Sequence, residues 1–167
     1  MPSKVRGGRP ILWVLASLAL SRVAFPSPGP VAAGGPIATA DGEKPGTRVE
    51  VTELKRTSGG TLSLKFVLVN DSEQSLGFGY NYASKDNEVR DHSTIGGITL
   101  VDPVGKKKYF VVRDSEKNCV CASGLKDLGK KSRMNLWAKF PAPPENVNKV
   151  GIVIPHFQPL DDVPISK

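Results

Sequence analysis

The chain has 167 residues, of which 39% are hydrophobic, and its 23 basic and 16 acidic side chains give a formal net charge of +7. Four of the basic residues and none of the acidic ones precede residue 41, so the rest of the chain carries 19 basic and 16 acidic residues. A net charge of +3 there argues against nucleic acid as a partner, because nucleic-acid-binding domains carry a concentrated basic surface.

The first 40 residues are typical of a secretory signal peptide with its cleavage region. A basic segment at residues 4–9 precedes the apolar run 11–20, and small-residue cleavage motifs end at Ala33 and Ala40. The apolar run is about ten residues long, whereas a membrane-spanning helix needs about 20. We therefore expect a secreted, extracellular protein without stable membrane insertion after cleavage.

Residues 41–47 are interpreted as a flexible lead-in. They close a stretch, from about residue 25, that is rich in Pro, Gly and Ala. Such a segment has too few large apolar side chains to offset the entropy lost on ordering. The folded domain is therefore expected to span residues 48–167, which is enough chain for a single core.

From residue 48 onward, short runs of alternating apolar and polar residues predict β-strands. The clearest is 61–70, where the apolar side chains at 62, 64, 66 and 68 share one face. Further runs lie at 48–54, 76–80, 98–101, 109–112, 134–140 and 149–154. These runs, with a polar loop at 83–94 and a proline-rich tail, predict an all-β fold: an immunoglobulin-like sandwich of two antiparallel sheets and about seven strands.

The predicted core consists of large apolar side chains from most of these runs. They are Leu62, Leu64, Phe66, Leu68, Val111, Leu136, Phe140 and Ile152. Most aromatic side chains are also expected inside, with Tyr80 and Tyr82 as the best candidates for exposure next to the polar loop.

The segment from Gly97 to Gly124 is the one around which we expect the fold to be organised. It reads as a hairpin whose turn is Asp102-Pro103-Val104-Gly105, followed by Lys106, Lys107 and Lys108. Short charge runs are usually exposed, so the lysines are expected at a solvated hairpin tip. Together with Tyr80 and Tyr82 they form the candidate binding surface.

Cys119 and Cys121, the two cysteines of the chain, lie in the same segment. An exported protein is expected to oxidise such a pair where the geometry allows. On a regular strand, residues two apart lie roughly 6.6 Å from each other, and a disulfide needs Cβ atoms about 3.5–4.5 Å apart. A bond therefore requires a bent backbone. Three interpretations stay open: a structural disulfide clip, buried free thiols, or redox or metal chemistry.

Three segments of this sequence resemble a family of exported immunoglobulin-like domains of actinobacteria. They are LSLKFVLVNDSEQS, ITLVDPVGKKKYFVVRDSEKNCVCASG and LWAKFPAPPENVNKVGIVIPHFQPLDDVPI. The resemblance covers about residues 48–166 and implies a secreted sandwich without an established activity. Some members of that family precede a peptidoglycan-binding domain of the outer-membrane-protein-A type, which this sequence lacks, so the resemblance implies no wall-anchoring role here.

No pattern in the sequence assembles catalytic groups. Ser93 follows His92 directly, but a triad needs a nucleophile, a base and an orienting acid placed together. Asp161 and Asp162, near His156, lack the ordered ligand loop of a calcium site. We expect no enzyme activity, cofactor or metal. The predicted function is a non-enzymatic interaction module for a protein or cell-envelope component, and the alternative is a redox or metal-handling protein using Cys119 and Cys121.

Overall fold

A computed structural model describes residues 34–77, 82 and 93–167, and within these ranges the regular secondary structure is entirely β. The strands are β1 (Ala38–Asp41), β2 (Thr47–Thr57), β3 (Thr61–Asn70), β4 (Thr99–Asp102), β5 (Lys107–Phe110), β6 (Ser132–Pro141), β7 (Lys149–Val153) and β8 (Leu160–Pro164). They form two antiparallel four-stranded sheets, in the orders β1-β2-β3-β6 and β5-β4-β7-β8. The predicted all-β, two-sheet antiparallel sandwich is confirmed, with eight strands instead of about seven.

Alternation within the strands places the core between the sheets. All eight predicted core side chains are buried, and Val49, Val51, Leu54 and Ile98 join them. Burying each large side chain contributes about 1.5–3 kcal/mol before conformational entropy is counted. The central strand pair of each sheet, β2 with β3 and β4 with β7, contributes fully buried side chains such as Val49, Leu64, Leu100 and Ile152.

Most of the described aromatic side chains are buried, as expected: Phe66, Tyr82, Phe140 and Phe157 lie in the core. Two are not, because Phe110 is 65% exposed and Trp137 is 42% exposed. Phe110 pairs with Thr99 across the outer face of the second sheet, and Trp137 pairs with Lys65 on the outer face of the first. Alternation therefore directs both rings away from the core.

Strand β1 lies where the sequence predicts the end of the cleavage region and a flexible lead-in. It pairs with β2 along the edge of the first sheet. The amide of Ile37 donates to the carbonyl of Val51 (2.7 Å), and that of Gly42 donates to Thr47 (2.8 Å). Backbone pairing thus orders a segment whose few large apolar residues do not predict a strand.

Of the predicted strand at 76–80, residues 78–80 lie outside the described residues. Residues 83–92 of the predicted loop also lie outside them. Leu76 forms an isolated bridge with Leu128, with amide-to-carbonyl distances of 2.8 and 2.9 Å. The proline-rich tail behaves as predicted: β8, which ends at Pro164, is an edge strand of the second sheet.

The strand connections gather at two ends of the sandwich. The hairpin end contains the β2–β3 turn, the β4–β5 turn and the loop 142–148 between β6 and β7. The Asn70 end contains the β1–β2 turn, the turn that follows Asn70 and the loop 154–159 between β7 and β8. In the described part of the chain there is no helix with the length and apolar character to cross a membrane.

Candidate functional site

A cleft of about 330 Å³ opens at the hairpin end, between the β4–β5 turn and the loop 142–148. Asp102 lines it, and its apolar wall is formed by Pro103, Val104, Pro144 and Val147. Small-ligand sites in proteins are typically concave, apolar in the main and provided with a few polar groups. The cleft has this composition at the small end of the usual size range.

Asp102 is the buried charged residue in the lining of this cleft, and only 3% of its surface is exposed. One carboxylate oxygen, Oδ1, accepts hydrogen bonds from the amides of Val104 (3.0 Å) and Gly105 (2.9 Å). These two bonds form the turn that the Asp-Pro-Val-Gly sequence predicts. Among the described residues, Oδ2 has neither a hydrogen-bond partner nor an ion-pair partner.

Glycine at position 105 leaves space beside that unpaired oxygen. A Cβ atom at this position would overlap Asp102 Oδ2. Both residues line the cleft. The turn therefore holds a nearly buried carboxylate by one oxygen and leaves the other without a partner.

Tyr109, on β5 of the same hairpin, carries a buried polar atom. The hydroxyl of Tyr109 is buried and has no hydrogen-bond partner among the described residues. Burial raises the pKa of Tyr109; the charge of Asp102 raises this pKa further, whereas Arg56 lowers it. The hydroxyl is therefore a neutral group in the electrostatic surroundings of Asp102.

Arg56, from β2, holds the loop that forms the far wall. Its guanidinium donates to three carbonyl oxygens, those of Pro143 (2.8 Å), Pro144 (2.9 Å) and Val147 (2.8 Å). The planar fork of an arginine is suited to such multiple contacts, which a lysine cannot reproduce. Arg56 thereby fixes the loop opposite the β4–β5 turn.

The predicted lysine surface lies at this end. Lys106, Lys107 and Lys108 are all exposed, and Lys106 has the positive φ (51°) that the tight turn requires. Lys107 also lines the cleft, together with Lys149 and Asp162. None of these three side chains forms an ion pair within the described ranges.

Tyr82 requires a correction, because it is buried and does not belong to an exposed surface. It is 4% exposed, and its ring packs at the opposite end of the sandwich, 5.7 Å from the ring of His156 and 6.3 Å from that of Phe157. Burial and the nearby Glu43 raise the pKa of Tyr82 to about 12. The structure therefore does not combine Tyr82 with the lysines, and Tyr80 lies outside the described residues.

The charged side chains of the Asn70 end are extensively paired. Arg48 pairs with Glu50 (2.9 Å) and with Asp71, and Lys131 pairs with Glu73 (2.9 Å). The hydrogen bond from Arg48 lowers the pKa of Asp71 below its usual range. Here the partners of the charges are other residues of the same chain.

Asn70 itself is fully buried and its side chain is fully bonded. Its amide nitrogen donates to the carbonyls of Gln74 (2.7 Å), Leu128 (3.3 Å) and Gly129 (2.9 Å). Its amide oxygen accepts from the backbone amide and the hydroxyl of Ser72. Such a saturated polar group organises the surrounding turns and leaves nothing for a ligand.

His156 and Glu43 form the remaining titratable pair at that end. Nδ1 of His156 lies 2.9 Å from a carboxylate oxygen of Glu43, and both side chains are solvent-exposed. A smaller cleft of about 160 Å³ adjoins them and Tyr82. His92, the other histidine, lies outside the described residues, so its relation to Ser93 stays a prediction.

Cys119 and Cys121 are joined in a disulfide, and their Cα atoms lie 5.3 Å apart. The backbone between them is bent, as closure of so short a loop requires, and it lies beside β6. Val120 donates to Val112 (2.7 Å) and accepts from Lys139 (3.0 Å). Cys121 is 5% exposed. This position on the flank of the sandwich suits a local clip, and it leaves neither cysteine as a free thiol.

Metal-ligating residues do not gather elsewhere in the part of the chain that the structure describes. It contains no cluster of three or more His, Cys, Asp or Glu residues with the geometry to hold a metal ion. Asp161 and Asp162 are exposed on β8, and Asp162 faces the cleft at the hairpin end.

The sequence does not indicate the roles of Asp102 and Arg56 at the cleft. Asp102 was recognised as a turn residue, but its unpaired oxygen depends on how the turn packs. Arg56 carries no local signal, because its three acceptors lie about 90 positions along the chain.

The comparisons with known proteins give no match: no family model, no curated protein and no solved structure is similar to this chain.

Proposed function

We propose that this chain is a secreted, non-enzymatic recognition module that binds a protein or cell-envelope component through its hairpin end. The observation that carries the proposal is the cleft with the unpaired carboxylate of Asp102. Desolvating a carboxylate costs free energy, and an oxygen without a partner at the edge of a cleft is available to a ligand. The resemblance to exported immunoglobulin-like domains supports secretion.

The three lysines extend this surface beyond the cleft. Lys106, Lys107 and Lys108 are exposed and free of ion pairs among the described residues. They favour approach of an anionic surface, because exposed charges mainly accelerate association and orient the partner. Recognition at loops that join rigid strands is a common arrangement in β-sandwich proteins.

Binding to the surface of the producing cells tests this function. The purified domain, labelled with a fluorophore, is titrated onto the cells as wild type and as the variant K106E/K107E/K108E. We expect the variant to bind at least about tenfold more weakly, since several favourable charges become unfavourable. The variant K44E/K126E/K130E is the matched control, because it makes the same change of net charge at exposed lysines outside the hairpin end.

The control variant is expected to bind within about twofold of wild type. Equal losses in the two triple variants would show a non-specific charge effect, and absence of wild-type binding would remove cell-surface recognition altogether. Either result overturns the proposal.

Secretion is tested by N-terminal sequencing of the protein from culture medium. We expect a start at Gly34, because cleavage after Ala40 would remove most of β1, and β1 pairs with β2 over four residues. A start at Met1 or Pro2 would contradict processing, and a start at Asp41 would show that β1 is dispensable.

A further inference from the structure

We infer that the cleft at the hairpin end binds a ligand carrying both an amine and a carboxylate, of the size of an amino acid, with the amine at Asp102 Oδ2. The inference rests on the proposed function and adds the chemical class of the ligand. Three features of the cleft lead to it: the state of Asp102, the depth at which each charge lies, and the volume.

The hydrogen bonding of Asp102 indicates which chemical group of the ligand contacts Oδ2. A carboxylate with one oxygen bonded twice and the other unpaired accepts a hydrogen bond from a donor. A charged donor is favoured, since hydrogen bonds between ionised groups are roughly twice as strong as neutral ones. An ammonium or guanidinium group fits this description.

The burial of the charged residues in the cleft indicates which group the other end of the ligand carries. Asp102 is nearly buried, whereas the other charged residues of the lining are exposed at the rim, where Lys107 and Lys149 outnumber the single acid Asp162. Although Lys107 is the strand partner of Asp102, no ion pair joins them. The rim lysines therefore present unpaired ammonium groups to a carboxylate on a ligand whose amine lies deeper.

The volume limits the ligand to a small molecule or the end of a larger one. A cleft of about 330 Å³ is at the lower limit of typical ligand sites. The apolar wall, formed by residues such as Val104 and Val147, contacts the methylene groups between the two charges. A basic amino acid, free or at the C-terminus of a peptide, has this arrangement.

The inference is tested by NMR titration of the ¹⁵N-labelled domain with Nα-acetyl-lysine. We expect the largest shift changes at the amides of Val104 and Gly105, because both donate to Asp102. Nα-acetyl-norleucine, which lacks the amine, is expected to bind at least about tenfold more weakly, since hydrogen bonds to charged groups contribute about 1.5–3 kcal/mol. Shift changes confined to other amides, or equal binding of the two probes, would overturn the inference.

The methylamide of Nα-acetyl-lysine tests the contribution of the ligand's carboxylate. This probe keeps the amine and lacks the carboxylate, as a lysine does within a peptide. We expect it to bind several-fold more weakly than the free acid because the lysine rim loses its partner. Binding as tight as that of the free acid would overturn the role of the rim.

The variant Asp102→Asn removes the charge and keeps the turn, because the amide oxygen of asparagine can still accept from Val104 and Gly105. We expect at least about a tenfold loss of affinity for Nα-acetyl-lysine. Asp114→Asn is the matched control: Asp114 Oδ1 also accepts two backbone amides, those of Glu116 and Asn118, but outside the cleft. Unchanged affinity in Asp102→Asn, with a folded spectrum, would overturn the inference.

Failure of this inference and failure of the proposed function give different results. If Nα-acetyl-lysine does not bind but cell-surface binding still depends on the three lysines, the ligand class alone is wrong. If cell-surface binding is independent of the hairpin end, the proposed function is wrong whatever the titration shows.

Discussion

The two ends of this sandwich treat polar groups in opposite ways. At the Asn70 end, Arg48, Asp71 and Asn70 itself bond to other residues of the chain. At the hairpin end, Asp102 has one unpaired oxygen and the lysines have no acidic partner within the described ranges. Both ends consist of connections between strands of the same two sheets, so the difference lies in side-chain chemistry and not in architecture.

This difference separates stability from recognition. A polar group that is saturated within the protein stabilises the fold and is costly to remove, whereas an unpaired one contributes little to stability and can bind a ligand. Substitutions at the Asn70 end should therefore change mainly the free energy of unfolding, and those at Asp102 and the lysines should change mainly binding.

The largest expected effect on stability is that of Asn70→Ala. The five hydrogen bonds of the buried Asn70 side chain are lost, and Gly129 O, for which Asn70 is the donor, is left unpaired, so we expect a loss of about 3 kcal/mol. Urea unfolding monitored by circular dichroism measures it. The control Asn135→Ala, at an exposed position of β6, should change stability by no more than about 0.5 kcal/mol. Similar values for the two variants would contradict the role assigned to Asn70.

Ionisation of Tyr82, at the Asn70 end, makes the free energy of unfolding depend on pH in the alkaline range. Its pKa is raised from about 10 to about 12, so the unfolded chain releases this proton at lower pH than the folded one. The stability that results is complete below about pH 10 and is lost as the pH rises to about 12, at about 1.4 kcal/mol per pH unit. Tyr82→Phe should flatten this part of the stability profile, measured by urea unfolding from pH 8 to 12. An unchanged slope would show that Tyr82 ionises as in the unfolded chain.

Arg56 is the residue of the hairpin end whose replacement should affect both properties. In Arg56→Met, three carbonyls of the loop 142–148 lose their donor, with an expected loss of about 1–2 kcal/mol because the guanidinium is partly exposed. The affinity for Nα-acetyl-lysine should also fall, because the far wall of the cleft is no longer fixed. Urea unfolding and NMR titration measure the two effects. Arg56→Lys should restore little of either, since lysine lacks the planar fork.

Removing the disulfide between Cys119 and Cys121 tests a part of the sandwich outside the cleft and the Asn70 end. Closing so short a loop restricts the unfolded chain only modestly, so Cys119→Ala/Cys121→Ala should lose about 1.5 kcal/mol. Cleft binding should be unchanged, as measured by the same titration. If the double variant is fully folded but no longer binds, the cysteine pair is connected to function, and the redox alternative is favoured.

The sandwich was predictable from sequence because its signal is local. The alternation of Leu62, Leu64, Phe66 and Leu68 predicts β3 with the same bounds as the structure, and the Asp-Pro-Val-Gly turn places the β4–β5 hairpin. Strand β1 was missed because it is short and its pairing with β2, not its composition, orders it.

The cleft was only partly predictable because it depends on long-range packing. The lysine run marks the hairpin tip, but nothing in the sequence indicates that loop 142–148 lies opposite it. Tyr82 was misplaced for a similar reason: adjacency to a polar loop favours exposure, whereas contacts with His156 and Phe157 bury its ring. Side-chain partners distant in sequence decided both outcomes.

The three hydrogen bonds that Arg56 donates to the loop 142–148 have a mechanical consequence. The arginine belongs to β2 of one sheet, and the loop it holds leads into β7 of the other. A molecule seated beside that loop would couple the two layers and oppose any sliding of one over the other. Occupancy of the cleft would thus strengthen the connection between the two sheets at this end of the protein.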